Sequence, residues 1–118
     1  MIAVIFEVEP AEGRRGEYLD HAAALKASLE GHPGFISVER FESLTTPGKM
    51  LSLSFFEDED AVRAWRNRAD HRARQAAGRR GVFAGYRLRV AQVIRDYGMT
   101  DRAEAPDDSR ALHDSAPD

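Results

Sequence analysis

Trp65 and His71 stand six residues apart in the run LSLSFFEDEDAVRAWRNRADHRARQAAG (residues 51–78), and Trp65 is the single tryptophan of the chain. An imidazole titrates near neutrality, so His71 in a dry pocket suits a general base or a hydrogen-bond donor. An indole close by offers a broad apolar wall for a planar molecule. The same two residues also suit structural roles, the tryptophan on the apolar face of a helix and the histidine at a cap or on the surface. Glu7 and Glu9 share one strand face and form a carboxylate pair, although a solvated or arginine-paired face is the simpler reading of them. Other chemistries lack their residues. No glycine-rich phosphate loop is present, and no serine sits in a nucleophile elbow. The histidines at 21, 32, 71 and 113 fall in four separate segments without ligand spacing, so no metal site is expected. The absence of cysteine excludes a disulfide framework and thiolate ligands.

These side chains must be positioned by elements that the hydropathy pattern places. Ile2, Val4, Phe6 and Val8 alternate with Ala3, Ile5, Glu7 and Glu9, which predicts a half-buried strand ended by Pro10. From about residue 14 to residue 30 the period becomes helical, with Tyr18, Ala22, Leu25 and Leu29 on one stripe and Gly31 and Pro33 beyond its end. Residues 35–44 are β-rich but alternate imperfectly, because Ile36 and Val38 share a face that Phe41 does not. A bulge near Glu39 and Arg40 would restore agreement. Thr45-Thr46-Pro47-Gly48 is hairpin chemistry, and Leu51, Leu53 and Phe55 continue as a strand. The acidic run 57–60 sits where a helix should start, since carboxylates favour its unpaired N–H groups. Ala61, Val62 and Trp65 face inward from that helix. A break near residues 67–70, a short helix through Gln75 and a stop at Gly78 follow. Residues 82–97 read as a long strand with Tyr86, Leu88, Val90 and Ile94 on one face and Arg87 and Arg89 on the other.

At 118 residues the chain suits one domain, read as 1–97, followed by an acidic tail at 98–118 that is mobile or packed on a partner. The amino terminus lacks a basic stretch and reads as a strand, no segment approaches membrane-spanning length, and a cytoplasmic setting is expected. The net charge of −3 hides blocks of −7 over residues 1–60, +8 over 61–97 and −4 over 98–118. The basic block invites a nucleic-acid reading, but no binding motif accompanies it, and complementary subunit surfaces or local carboxylate pairing explain it.

The element order β-α-β-β-α-β is that of a ferredoxin-like α+β fold, a four-stranded antiparallel sheet with both helices on one face. The other face, which includes Phe and Val side chains, must be buried by something, so a homodimer is expected.

The combination FISVERFES…GKMLSLSFFEDEDAVRAWRNRADHRARQAAGRRGVFAGYRLRVAQVIRDYGM resembles the antibiotic biosynthesis monooxygenase family. It is closest to a small stand-alone bacterial branch with a W-x5-H-x3-Q core and a strand ending V-x-R-D-Y. The resemblance covers roughly residues 1–98. It implies a dimeric α/β barrel in which two ferredoxin-like sheets enclose a pocket in each subunit. One activity among such relatives is cofactor-independent oxygenation of phenols, where the deprotonated substrate itself reduces O2. Its binding residues are an Asn one turn before the Trp, the Trp, and a Tyr six residues on; here these positions hold Ala61, Trp65 and His71. A second activity is haem degradation, with an Asn on the first strand, the Trp and a ligating His ten residues later. The counterparts here are Glu7, Trp65 and Gln75, and glutamine is a poor ligand for haem iron.

These observations point to a cofactor-independent monooxygenase acting on a small planar acidic, phenol- or quinol-like molecule. Trp65 would be its stacking wall, His71 its base, Gln75 a binding residue, and Arg87 or Arg89 the charge facing an enolate or phenolate. The alternatives are a non-enzymatic dimeric binding or stress-related protein and, behind it, a haem-degrading relative.

Overall fold

The computed structural model describes residues 1–68, 76 and 81–114. Among these, β1 (Ile2–Pro10), α1 (Arg15–Leu29), β2 (Phe35–Glu42), β3 (Met50–Phe56), α2 (Glu59–Arg66), β4 (Phe83–Gln92) and α3 (Asp107–His113) follow in order. The strands form one antiparallel sheet in the order β2-β3-β1-β4, the ferredoxin-like arrangement.

Register decides what each face carries. Val4 and Phe6 pair with Ser54 and Ser52 on β3 and with Val90 and Leu88 on β4, so these side chains share the inner face. Ile5 and Glu7 pair with Leu53 and Leu51 and with Arg89 and Arg87 on the outer face. The register shift on β2 lies between Phe35 and Ser37 rather than near Glu39 and Arg40. Ile36 is the extra residue and is 48% exposed. From Ser37 onward the alternation is uninterrupted, so Val38 and Arg40 point inward with Ser54 and Ser52 while Phe41 points outward with Leu51.

The helix-start reading of the acidic run agrees with the geometry of α2. Asp58 is extended, and its carboxylate accepts from the Ala61 N–H at 2.8 Å. Gly34, with φ of +82°, turns the chain from α1 into β2. A Cβ on Gly34 would lie 2.6 Å from the Ala61 Cβ, so only glycine lets this turn rest against α2. The core is two clusters, one around Ile2, Leu29, Phe56, Val62 and Trp65, the other around Val8, Tyr18, Ala22, Met50 and Val82.

β4 is shorter than the expected strand over residues 82–97. Gln92 pairs with Ile2, the first residue of β1, and Val93 N–H donates to the Met1 carbonyl at 3.0 Å. Among the described residues no strand neighbours β4 beyond that point. The segment after residue 97 carries the short helix α3 and a local network. Arg102 donates to Asp114 at 2.8 Å, to the Gly98 carbonyl at 3.1 Å and to the Ser109 hydroxyl at 2.7 Å, with its guanidinium over the Tyr97 ring. The expected short helix through Gln75 and its stop at Gly78 lie outside the described residues.

Candidate active site

A cavity of about 470 Å³ lies between the inner face of the sheet and the two helices. Its floor is Val4, Phe6, Val38, Arg40, Ser52 and Ser54, and Phe56 closes one end of it. Tyr18, Ala22, Leu25 and Leu29 on α1 form one wall, the same stripe that the helical period singled out. Val62 and Trp65 form another. Tyr86, Leu88 and Val90 on β4 line it as well, and each remains nearly half exposed, so this side is open. An apolar cavity with a few convergent polar groups is what small-molecule sites generally look like.

Trp65 is 7% exposed and belongs both to the core and to the cavity wall. The Arg68 guanidinium lies 5.1 Å from the indole centroid and donates to the Ser28 carbonyl at 3.2 Å. The His32 ring meets the indole edge-on at 5.6 Å. His32 Nε2–H donates to the Ala61 carbonyl at 3.0 Å, since a carbonyl only accepts. At the opposite end Phe6, Phe83 and Tyr86 form an aromatic cluster, and Tyr18 meets Phe83 edge-on at 5.9 Å.

The polar groups of the cavity are not the expected ones. Arg87 and Arg89 lie on the outer face, opposite Glu7 and Ile5 across β1. Arg89 pairs with Glu7 at 3.4 Å, and Lys49 reaches the same carboxylate oxygen at 3.3 Å. Lys49, ahead of Arg89, holds the Glu7 carboxyl below the usual carboxylate range. The strand alternation that puts Leu88 and Val90 into the cavity excludes both arginines from it. Arg40 occupies the place they were expected to fill. It lines the cavity from β2 and donates through Nη2 to the Ala22 carbonyl at 3.1 Å, while its buried Nε–H has no partner. Tyr18, one turn before Ala22, is 4% exposed. Burial pushes its phenol above the ordinary tyrosine range, and the nearby Arg40 charge partly opposes that rise. His21 also lines the cavity.

His71 and Gln75 lie outside the described residues, so of the expected site residues the structure brings Trp65 to the cavity. Sequence reasoning missed Arg40, Tyr18, His21 and His32 as neighbours of that site. Tyr18 lay on the helical stripe that forms the wall, and Arg40 follows Val38 at strand spacing, so both carried a signal once the bulge is correctly placed. Among the described residues no group of three acidic or histidine side chains is arranged to hold a metal ion. No helix among them is long and apolar enough to cross a membrane.

Known proteins resemble this chain in sequence and in fold. Residues 1–77 match the antibiotic biosynthesis monooxygenase family. The chain is 45% identical over 93 residues to a jasmonate monooxygenase of Pyricularia oryzae, covering 79% of this chain but only 43% of that longer protein. It is 31% identical to the uncharacterized protein YqjZ of Bacillus subtilis, with 79% of both chains covered. The solved structure of a variant of SnoaB, a cofactor-independent oxygenase from Streptomyces nogalater, superimposes with a TM-score of 0.70 at 14% identity, covering 80% of this chain and 94% of that one, and so shares its fold. By the family match over most of its length and by its relatives, the chain belongs to the antibiotic biosynthesis monooxygenase family.

Proposed function

We propose that this protein is a cofactor-independent monooxygenase that oxidises a small organic acid, phenol- or quinol-like in its reacting part, inside the cavity beneath α1 and α2. The observation that carries the reading is the mostly apolar cavity with Trp65 in its wall, in a chain of a monooxygenase family. In this reaction a base takes a proton from the substrate, and the resulting carbanion gives electrons to O2 to form a peroxide. Loss of a second C–H proton then cleaves the O–O bond. A CH2 becomes C=O, one oxygen atom of O2 stays in the product, the other leaves as water, and the substrate supplies all four electrons. His71 is our candidate for the base, Trp65 for the wall on which the ring lies, and Gln75 for a hydrogen bond to the substrate. The Pyricularia relative is named for jasmonate, a small acid with an apolar body, which agrees with a mostly apolar cavity.

The test is oxygen consumption with a panel of anthrone- and quinol-like phenols. Wild type should consume O2 with at least one of them, Trp65→Ala should lose most of that rate, and His71→Ala should lose more than His21→Ala. If no member of the panel is oxidised above the protein-free rate, the oxygenase reading gives way to a binding protein on the same fold.

We also infer that the outer sheet face meets a second copy of the chain. Ile5, Leu51, Leu53 and Phe55 are only partly covered there, and Phe41 is 42% exposed. An apolar sheet face of this kind is normally covered. Leu53→Glu should convert a dimer to a monomer in sedimentation, and a wild type that sediments as a monomer would refute the pairing.

A further inference from the structure

Arg40 differs from six other arginines of the protein. Arg14, Arg15, Arg63, Arg89, Arg102 and Arg110 each reach a carboxylate. Arg40 appears in none of the ion pairs among the described residues, although its guanidinium is set into the cavity. No Asp or Glu is among the described residues that line the cavity, while Arg40 and Arg66 both do. Among the described residues the lining is therefore positive and carries no carboxylate. The Arg40 Nε–H is buried without an acceptor, which costs free energy unless an acceptor arrives. Its Nη2 is anchored by the Ala22 carbonyl, so the guanidinium is held in place. The Tyr18 hydroxyl lies beside it, and burial keeps that hydroxyl neutral and able to donate.

We propose that Arg40, supported by Tyr18, is an anchor for the carboxylate of the cavity's ligand, and that this residue sets the choice of an anionic, apolar-bodied acid over its neutral analogues. The proposal takes the cavity as the ligand site, as in the oxygenase reading, but not the reaction. A carboxylate offers two oxygens and matches the planar array of guanidinium donors better than a single phenolate oxygen does. The remaining body of such an acid would lie along Val4, Val38 and Leu25 toward Trp65.

The experiment is a binding measurement at pH 7 with 4-phenylbutyrate, its methyl ester and 4-phenylbutan-1-ol, by calorimetry and by emission of the single tryptophan. Wild type should bind the acid at least about tenfold more tightly than the ester or the alcohol. Arg40→Gln should remove that preference with ester affinity kept within about twofold, Arg40→Lys should retain part of it, and Tyr18→Phe should weaken the acid by a few-fold. Equal binding of acid and ester by wild type, binding of none of them, or an unchanged preference in Arg40→Gln would each overturn the proposal. The wild-type comparison does not depend on any variant folding. The two readings also fail separately. A protein that prefers the acid yet oxidises nothing refutes the oxygenase, and one that oxidises phenols but binds acid and ester alike refutes the anchor.

Discussion

The imidazole of His32 and the indole of Trp65 meet edge to face, with ring centroids 5.6 Å apart and planes inclined at 67°. His32 is 8% exposed, and its hydrogen bond to the Ala61 carbonyl joins the turn after α1 to the first turn of α2. One buried side chain thus fixes both the helix that carries Trp65 and the edge of its ring. His32→Ala removes the hydrogen bond and leaves a hole, so it should cost about 2–3 kcal/mol of stability. Urea unfolding followed by tryptophan emission measures this, and a red-shifted native spectrum should accompany it. A loss below about 0.5 kcal/mol would show that His32 does not hold Trp65.

Gly34 and Gly48 separate two costs of replacing a glycine. Both have positive φ, +82° and +83°, but a Cβ at Gly48 meets open space whereas one at Gly34 meets Ala61 at 2.6 Å. Gly48→Ala should cost about 1 kcal/mol, and Gly34→Ala about 1–3 kcal/mol more through the clash. Ala61→Gly should recover much of that excess when combined with Gly34→Ala. A double-mutant cycle on thermal unfolding reads the coupling, and additive losses would reject it.

Tyr18 links stability to alkaline pH. Its folded pKa lies above the ordinary 10.0, chiefly because burial disfavours the phenolate. The folded state therefore holds this proton more tightly than the unfolded chain. The contribution is fully present below pH 10 and is lost as pH rises from 10 through the folded pKa. Tyr18→Phe should flatten the fall in stability over that window. Denaturant titrations at pH 8, 10 and 11 compare the slopes, and identical slopes would contradict a buried, neutral Tyr18.

Asp58 caps the helix on which Trp65 rides. Asp58→Ala frees the Ala61 N–H and should cost about 1 kcal/mol, whereas Asp58→Asn should cost less because the amide oxygen still accepts. Exposed Asp60, which only pairs with Arg63 at 3.1 Å on the helix surface, provides the control. Its replacement by Ala should change stability by less than about 0.5 kcal/mol.

Much of the fold can be read from local pattern. The period-2 alternation of β1 and β3 and the Tyr18–Ala22–Leu25–Leu29 stripe of α1 are properties of consecutive residues, because burial of one strand face or one helix stripe imposes them wherever the element packs. The turn glycines and the carboxylate before α2 belong to the same category, since they answer needs of the adjoining backbone. Together with the W-x5-H-x3-Q run, these patterns suffice for the ferredoxin-like order and for the family.

Which charged side chain enters the cavity is a different kind of fact. Alternation says that Arg87 and Arg89 share a face, but only the placement of α1 and α2 decides that this face looks away from the cavity. Arg40 depends on the position of one bulge. A shift near Glu39 and Arg40 breaks the strand at that residue, whereas the shift between Phe35 and Ser37 carries Arg40 inward beside Ser52. A single-residue slip in register reverses every side chain beyond it, and the pairing partner that selects the register is distant in sequence. His32 shows the same dependence. It lies in a turn with no hydrophobic period, and only packing against α2 and Phe56 makes it a buried neighbour of Trp65.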